Sequence, residues 1–272
     1  MKNLLKFAFP IMVGNMLQQL YNVVDTLIVG RYLGEHALAA VGSSYTLMVF
    51  VTSVILGLCM GSSAFFSMQF GGRDFDRMEK GIFIAFLSIG AVAVILNILV
   101  YAGMDGILVF LKVPYEVAPL MEEYLVWIFA GIMATFLYNF IANLLRAVGN
   151  SMVPLCFLGA SAALNIVLDI LFIKGFQWGV GGAAAATVLS QYVSGIGILL
   201  YYYAKYPQLR VRKENRRFDG RILKELTGLS SLTCLQQSIM NFGILMVQGL
   251  VNSFGPVVMA AFAAAVKIDS FA

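Results

Sequence analysis

The chain has 272 residues, of which 60% are hydrophobic and only 12% charged, against roughly a quarter charged in an ordinary soluble domain. Uncharged runs longer than about twenty residues follow one another, which excludes a water-soluble globular fold and leaves an all-α integral membrane protein. The net charge of +4 does not mark a nucleic-acid surface, because the basic residues lie in short segments between apolar runs rather than in one patch.

A helix needs roughly 20 residues to cross a bilayer. The first run of that kind lies near residues 7–29, behind Lys2 and Lys6. Ala37-Leu38-Ala39 resembles a signal-peptidase site, but the run is too long for a signal core and too polar, so it is read as a retained helix. Its Asn15, Gln18, Asn22 and Asp25 recur at intervals of three, four and three, which places them on one face roughly 80° wide. The second and third runs, near 40–68 and 82–103, are apolar, and Gly57-x-x-x-Gly61 in the second is the pattern of close helix packing.

The fourth run, near 120–143, carries Asn139 and Asn143 and is followed by a loop with Arg146. The fifth, near 153–173, aligns Ser161, Asn165 and Asp169, and the sixth, near 180–204, aligns Thr187, Ser190, Gln191 and Ser194. Polar stripes on four helices imply a polar lumen, since lipid would not tolerate such faces and interhelical hydrogen bonding alone explains single residues better than stripes. A long basic segment, 205–224, then reads as a linker between two bundles. A seventh run lies near 229–250. An eighth begins after Gly255-Pro256 and reaches Ala272 before it can cross, so a longer chain is expected.

Orientation follows from the basic residues, because Lys and Arg in short loops hold those loops in the cytoplasm. With a cytoplasmic N-terminus, 14 of the 18 Lys and Arg fall on the inner side and three, Arg31, Lys112 and Lys174, on the outer. A multi-pass protein of the cell (inner) membrane is therefore expected. The chain also repeats: Leu17-Gln18-Gln19 matches Leu235-Gln236-Gln237 at an offset of 218. Two copies that both start inside form a parallel repeat, as in many transporters.

An ionised carboxylate at mid-bilayer costs about 2.5–3.5 kcal/mol on insertion scales, so acids inside helices are functional candidates. Asp25 and Asp169 are such acids, placed at comparable depth, with no Lys or Arg inside the first six runs to pair with them. A buried carboxylate without a fixed cation takes up a proton or holds a mobile cation. Cys59, Cys156 and Cys234 lie in apolar runs and suggest no disulfide framework or metal site. Gly179-Val180-Gly181-Gly182 follows no strand, and His36 is the only histidine. Neither a phosphate loop nor a catalytic triad is expected, so the chain is read as a non-enzyme without cofactor other than a coupling ion.

These motifs resemble the multidrug and toxic compound extrusion (MATE) family. The resemblance rests on Pro10 with Val24-Asp25-Thr26 and Val29-Gly30, on Leu145-Arg146-Ala147-Val148-Gly149-Asn150 leading to Pro154, on Asn165-x-x-x-Asp169, and on Gly181-Gly182-Ala-Ala-Ala-Ala-Thr187 with Ser190-Gln191. It covers nearly all of residues 1–204, the six-helix first lobe; the remainder, 225–272, is similar to the start of the second lobe. The resemblance implies a twelve-helix, alternating-access antiporter that exports drugs or small organic, cationic or amphipathic, compounds against inward Na⁺ or H⁺ movement, acting as a monomer at full length. It implies a cation site, for Na⁺ or H⁺, at Asp25, Asn165, Asp169 and Thr187. It implies a substrate cavity at Gln18, Tyr21, Asn22, Asn139 and Asn143, and a first helix that bends at Pro10. The alternative is a related lipid or polysaccharide flippase, which is expected to carry cationic residues in its lumen.

Overall fold

A computed structural model describes residues 2–269. The described chain is helical, without strands, and runs α1 (Lys2–Leu33), α2 (Glu35–Gly71), α3 (Phe75–Ala102), the short α4 (Met104–Phe110), α5 (Ala118–Ala130), α6 (Ile132–Ala147), α7 (Met152–Asp169), α8 (Gly179–Lys205), α9 (Gly220–Asn252) and α10 (Pro256–Asp269). A π-helical turn, Ile170–Gly175, continues α7 directly after Asp169. Among the described residues, α2, α3, α7 with its π turn, α8 and α9 are long and apolar enough to cross a membrane; α5 and α6 together make a sixth span. With its 32 residues α1 has the length to cross. Its Asn15, Gln18, Gln19, Asn22 and Asp25 make it less apolar than α2, α3, α7 and α8.

The fourth span, expected as one helix over 120–143, is two helices meeting at 44°. The bend falls at Gly131, where α8 comes so close that a Cβ would sit 2.8 Å from Val188 Cγ2. Only a residue without a side chain fits there.

Three connections gather at one end of the bundle, called here the linker end. Ser67 donates to the Ala147 carbonyl at 3.4 Å, and Asn150 Nδ2 donates to the Tyr206 hydroxyl at 2.7 Å. The linker itself is docked there rather than solvated along its length. Glu79, 4% exposed near the start of α3, accepts from Arg212 N at 3.0 Å, Arg212 Nε at 3.0 Å and Asn215 Nδ2 at 2.9 Å. Asp76 also pairs with Arg212, and Arg77 of α3 with Glu225 of α9. The linker is shorter than the expected 205–224, because Asp219 caps α9 by accepting from Arg221 N at 2.9 Å and helix begins at Gly220.

The seam between α2 and α9 runs from Ser43 to Ser62 on α2 and from Asn252 to Ser230 on α9. Toward the linker end, a Cβ at Gly57 would lie 2.5 Å from Cys234 Cα, and one at Gly61 would collide with Ser230 Cα. The Gly57-x-x-x-Gly61 pattern thus brings two backbones into contact. At the far end the seam is polar: Ser43 donates to Asn252 Oδ1 at 2.9 Å, and Gln248 Nε2 donates to Ser43 at 2.9 Å and to Asn252 Oδ1 at 2.8 Å. Asn252 Nδ2 completes this network on the Leu111 carbonyl at 2.9 Å. Each of these side chains is buried, so the network satisfies groups that the apolar interior would otherwise strand.

Candidate functional site: a buried acid pair beside a polar cavity

The stripes on α1, α7 and α8 face one another. Gly14 of α1 lies against Leu155 and Leu158 of α7, and Ser161 of α7 donates to the Ser190 carbonyl of α8 at 3.0 Å. This packing buries Asp25, Asn165, Asp169 and Thr187, with Asp169 fully withdrawn from the surface. Asn165 Nδ2 donates to Thr187 Oγ1 at 3.2 Å. The carboxyl groups of Asp25 and Asp169 approach closely enough to interact. Asn165 Oδ1 and both Asp169 carboxylate oxygens are buried with no hydrogen-bond donor.

Buried acceptors without donors are rare and costly in folded proteins. Three such oxygens beside a second carboxyl group form a set of hard oxygen donors, which suits a proton or a hard cation such as Na⁺ and not a soft transition metal. The described residues hold no cluster of three His, Cys, Asp or Glu side chains. Two tyrosines that sequence reasoning left out of the cation site stand close enough to both acids to feel their charge: Tyr21, expected only in the cavity, and Tyr124 of α5, with Tyr45 of α2 next to them. Tyr45 sits among Ser43, Ser44 and Thr46, and Tyr124 directly follows Glu122 and Glu123, so polarity along the helix did not single out either tyrosine.

Next to the acids, a cavity of about 250 Å³ opens between α1, α6, α7 and α8. Gln18, Tyr21 and Asn139 line it, and Asn165 and Thr187 form part of its wall, so the acid site borders it. Asn22 and Asn143 do not line it. Each lies one turn from a lining residue but about 40° further round its helix, and each amide is engaged within its own helix. Asn22 Nδ2 donates to Gln19 Oε1 at 3.3 Å, and Asn143 Nδ2 to the Asn139 carbonyl at 2.9 Å. Pro10 lies inside α1, which continues as helix on both sides of it.

Three further polar wall residues had not been assigned to the cavity: Thr135, Tyr138 and Arg146. Thr135 ties α6 to α8 by donating to Gln191 Oε1 at 2.7 Å. Arg146, expected in a loop, sits in the last turn of α6, which extends to Ala147 rather than ending near 143. The signal was present, since Asn139, Asn143 and Arg146 follow the same four-and-three spacing as the other stripes.

The MatE family model matches residues 10–171. The probable multidrug resistance protein YpnP of Bacillus subtilis is 36% identical over 99% of this chain and 60% of its own length. The probable multidrug resistance protein NorM of Thermotoga maritima is 28% identical over 99% of this chain and 58% of its own. Among solved structures, the MATE multidrug transporter DinF-BH superposes with a TM-score of 0.91 at 25% identity, over 99% of this chain and 61% of that one. The chain thus spans about 60% of the length of these relatives. A family model that covers most of the chain and a fold shared over nearly all of it lead to one conclusion: this multi-pass membrane protein belongs to the MatE family.

Proposed function

We propose that the chain forms the first lobe, and the start of the second, of a cation-coupled exporter of small organic compounds, with a cytoplasmic N-terminus in the cell membrane and acting as a monomer at full length. The observation that supports this most is the buried Asp25–Asp169 pair, with unpartnered acceptors on Asp169 and Asn165, bordering a polar cavity. Two adjacent carboxylates in low dielectric repel one another, and a proton or Na⁺ bound between them removes that repulsion. Asp25 and Asp169 hold the cation, Asn165 supplies an amide oxygen, and Thr187 keeps the amide oriented. Loading changes the charge on α1 and α7 together. The missing N–H at Pro10 gives α1 a place to bend, so the loaded and unloaded sites can favour different helix shapes. Gln18, Tyr21 and Asn139 present hydrogen-bonding groups to a compound in the cavity. A flippase for anionic headgroups would need a basic lumen, whereas this wall carries a single arginine and the acid pair borders the same cavity.

The test uses a transporter with the relatives' full length, reconstituted in vesicles with Na⁺ and pH gradients imposed separately. Asp25→Asn and Asp169→Asn are each expected to abolish cation-driven efflux of a fluorescent substrate while leaving insertion and folding intact. Efflux with unchanged cation dependence in both variants would reject the mechanism.

A further inference from the structure

Leu56 of α2 lines the polar cavity, whereas Leu58, about 200° further round the same helix, lines a different one. This second cavity, of about 420 Å³, is a groove between α2, α3 and α9. Thr227, Ser231 and Leu235 form its α9 wall, and Ser88 and Val92 its α3 wall. The hydroxyls do not make it polar. Ser88 donates to the Ile84 carbonyl at 2.7 Å, Thr227 to the Leu223 carbonyl at 2.8 Å and Ser231 to the Gly228 carbonyl at 3.4 Å. Each is thus engaged within its own helix. Ser238 Oγ, deeper in, has no partner but is itself buried rather than open to the groove. The wall that remains is mainly apolar.

Both α3 and α9 begin at the linker end, and the groove follows them away from it. From the level of Leu223 to that of Ser238 it rises about 22 Å. Half a bilayer, headgroup layer included, is about 20–22 Å thick. The groove is therefore one leaflet deep.

A cation stands at the foot of each wall. Arg77 precedes Ser88, and Lys224 precedes Ser231, by close to a whole number of turns, so both lie below the groove on its own face. Arg77 pairs with Glu225, which ties α3 to α9 across the mouth. Lys224 is exposed and belongs to none of the three ion pairs among the described residues. The neighbouring acids are engaged elsewhere: Asp76 and Glu79 with Arg212, and Asp219 with the Arg221 N–H. An apolar slot of leaflet depth with an unpaired ammonium at its headgroup end matches both parts of an anionic phospholipid.

We propose that the groove binds one acyl chain of an anionic phospholipid from the leaflet at the linker end, with the lipid phosphate resting on Lys224. In the orientation proposed above, this is the cytoplasmic leaflet. The lipid wedges between α3 and α9 where the two helices do not touch, and it lies on the opposite flank of α2 from the polar cavity.

The experiment places a tryptophan on the groove's rim, Leu235→Trp, in a chain that also carries Trp127→Phe and Trp178→Phe, which removes both native tryptophans. A control chain carries Val193→Trp instead, on an exposed position of α8. Each is reconstituted in nanodiscs of phosphatidylcholine with increasing phosphatidylglycerol, one lipid or the other dibrominated in mid-chain. Quenching then reports which lipid touches the indole. At the groove, phosphatidylglycerol is expected to be favoured about fivefold, the effect of one lysine at the membrane surface. At Val193→Trp the preference should stay below twofold. Lys224→Gln is expected to bring the groove value below twofold, and Lys224→Arg to preserve it. Ser231→Phe, at an exposed wall position, fills the groove without touching Lys224 and is expected to abolish the preference too. A circular-dichroism melt of each variant shows that it is folded. An equal preference at both tryptophans would mean attraction to the whole basic surface and overturn the site. A preference that survives Ser231→Phe would place the lipid outside the groove and overturn it as well. So would equal quenching by the two lipids in the unsubstituted groove, or quenching by neither, which would mean that another part of the chain fills it. No arm requires transport, so the outcome is separate from that of the proposed export.

Discussion

Asn165 donates to Thr187 while its own carbonyl oxygen stays buried without a donor. An amide held at one end presents the other in a fixed direction, which a freely rotating side chain would not do. Thr187→Val keeps the shape but removes the acceptor. Losing one neutral hydrogen bond of about 1 kcal/mol should raise the half-saturating concentration of the coupling cation by roughly fivefold. The maximal rate should change little, because both carboxylates remain. A cation titration of efflux checks this, and an unchanged midpoint would show that Thr187 does not orient the amide. Much of this site was legible beforehand, since Asn165 and Asp169 share a helix face and only their partner helices had to be found. Tyr45 and Tyr124 were not legible, because what brings them to the acids is the relative rotation and depth of α2 and α5. Spacing within one helix carries no information on either quantity.

Helix ends and breaks proved harder to read than helix faces. The run from 120 to 143 is apolar on both sides of Gly131, so nothing in its local hydropathy announces the bend there, where Val188 of another helix comes close. The end of the same span was misplaced by one turn, and that turn holds Arg146. The π turn after Asp169 had no signal either, although such turns gather at functional sites. The seam of α2 on α9 shows the opposite case, since Gly57 and Gly61 were legible as contact residues but their partner was not. Gly57→Ala would press a methyl group into the Cys234 backbone and should cost about 1–3 kcal/mol by overpacking. Gly228→Ala, on the same seam helix but in open space, should be neutral or mildly stabilising. Thermal unfolding in nanodiscs separates the two; equal melting temperatures would mean that the helices part without cost.

The bundle is tied to the next segment of chain by more than the peptide bond. Glu79 gathers Arg212 and Asn215, while Arg77 reaches Glu225, so the linker and the start of α9 are both anchored on α3. Composition alone suggested a linker between two bundles, without a signal for where it docks. The docking rests on two acids of α3, Glu79 and Asp76, whose partners are more than 130 residues away in sequence. Glu79→Gln weakens the anchor, and trypsin should then cut at Arg210, Arg212 or Lys213 about tenfold faster, as local opening becomes easier. A cleavage rate equal to that of the wild type would show that the anchor is not what protects the linker. The α2–α9 seam has a further consequence, for biosynthesis. A chain made from its N-terminus places α2 in the bilayer long before α9 leaves the ribosome, with Gly57 and Gly61 already presenting a bare backbone track. When α9 follows, it meets a partner that is already in place. The nascent protein therefore stores its seventh long helix against a finished surface, on a template laid down before that helix was made.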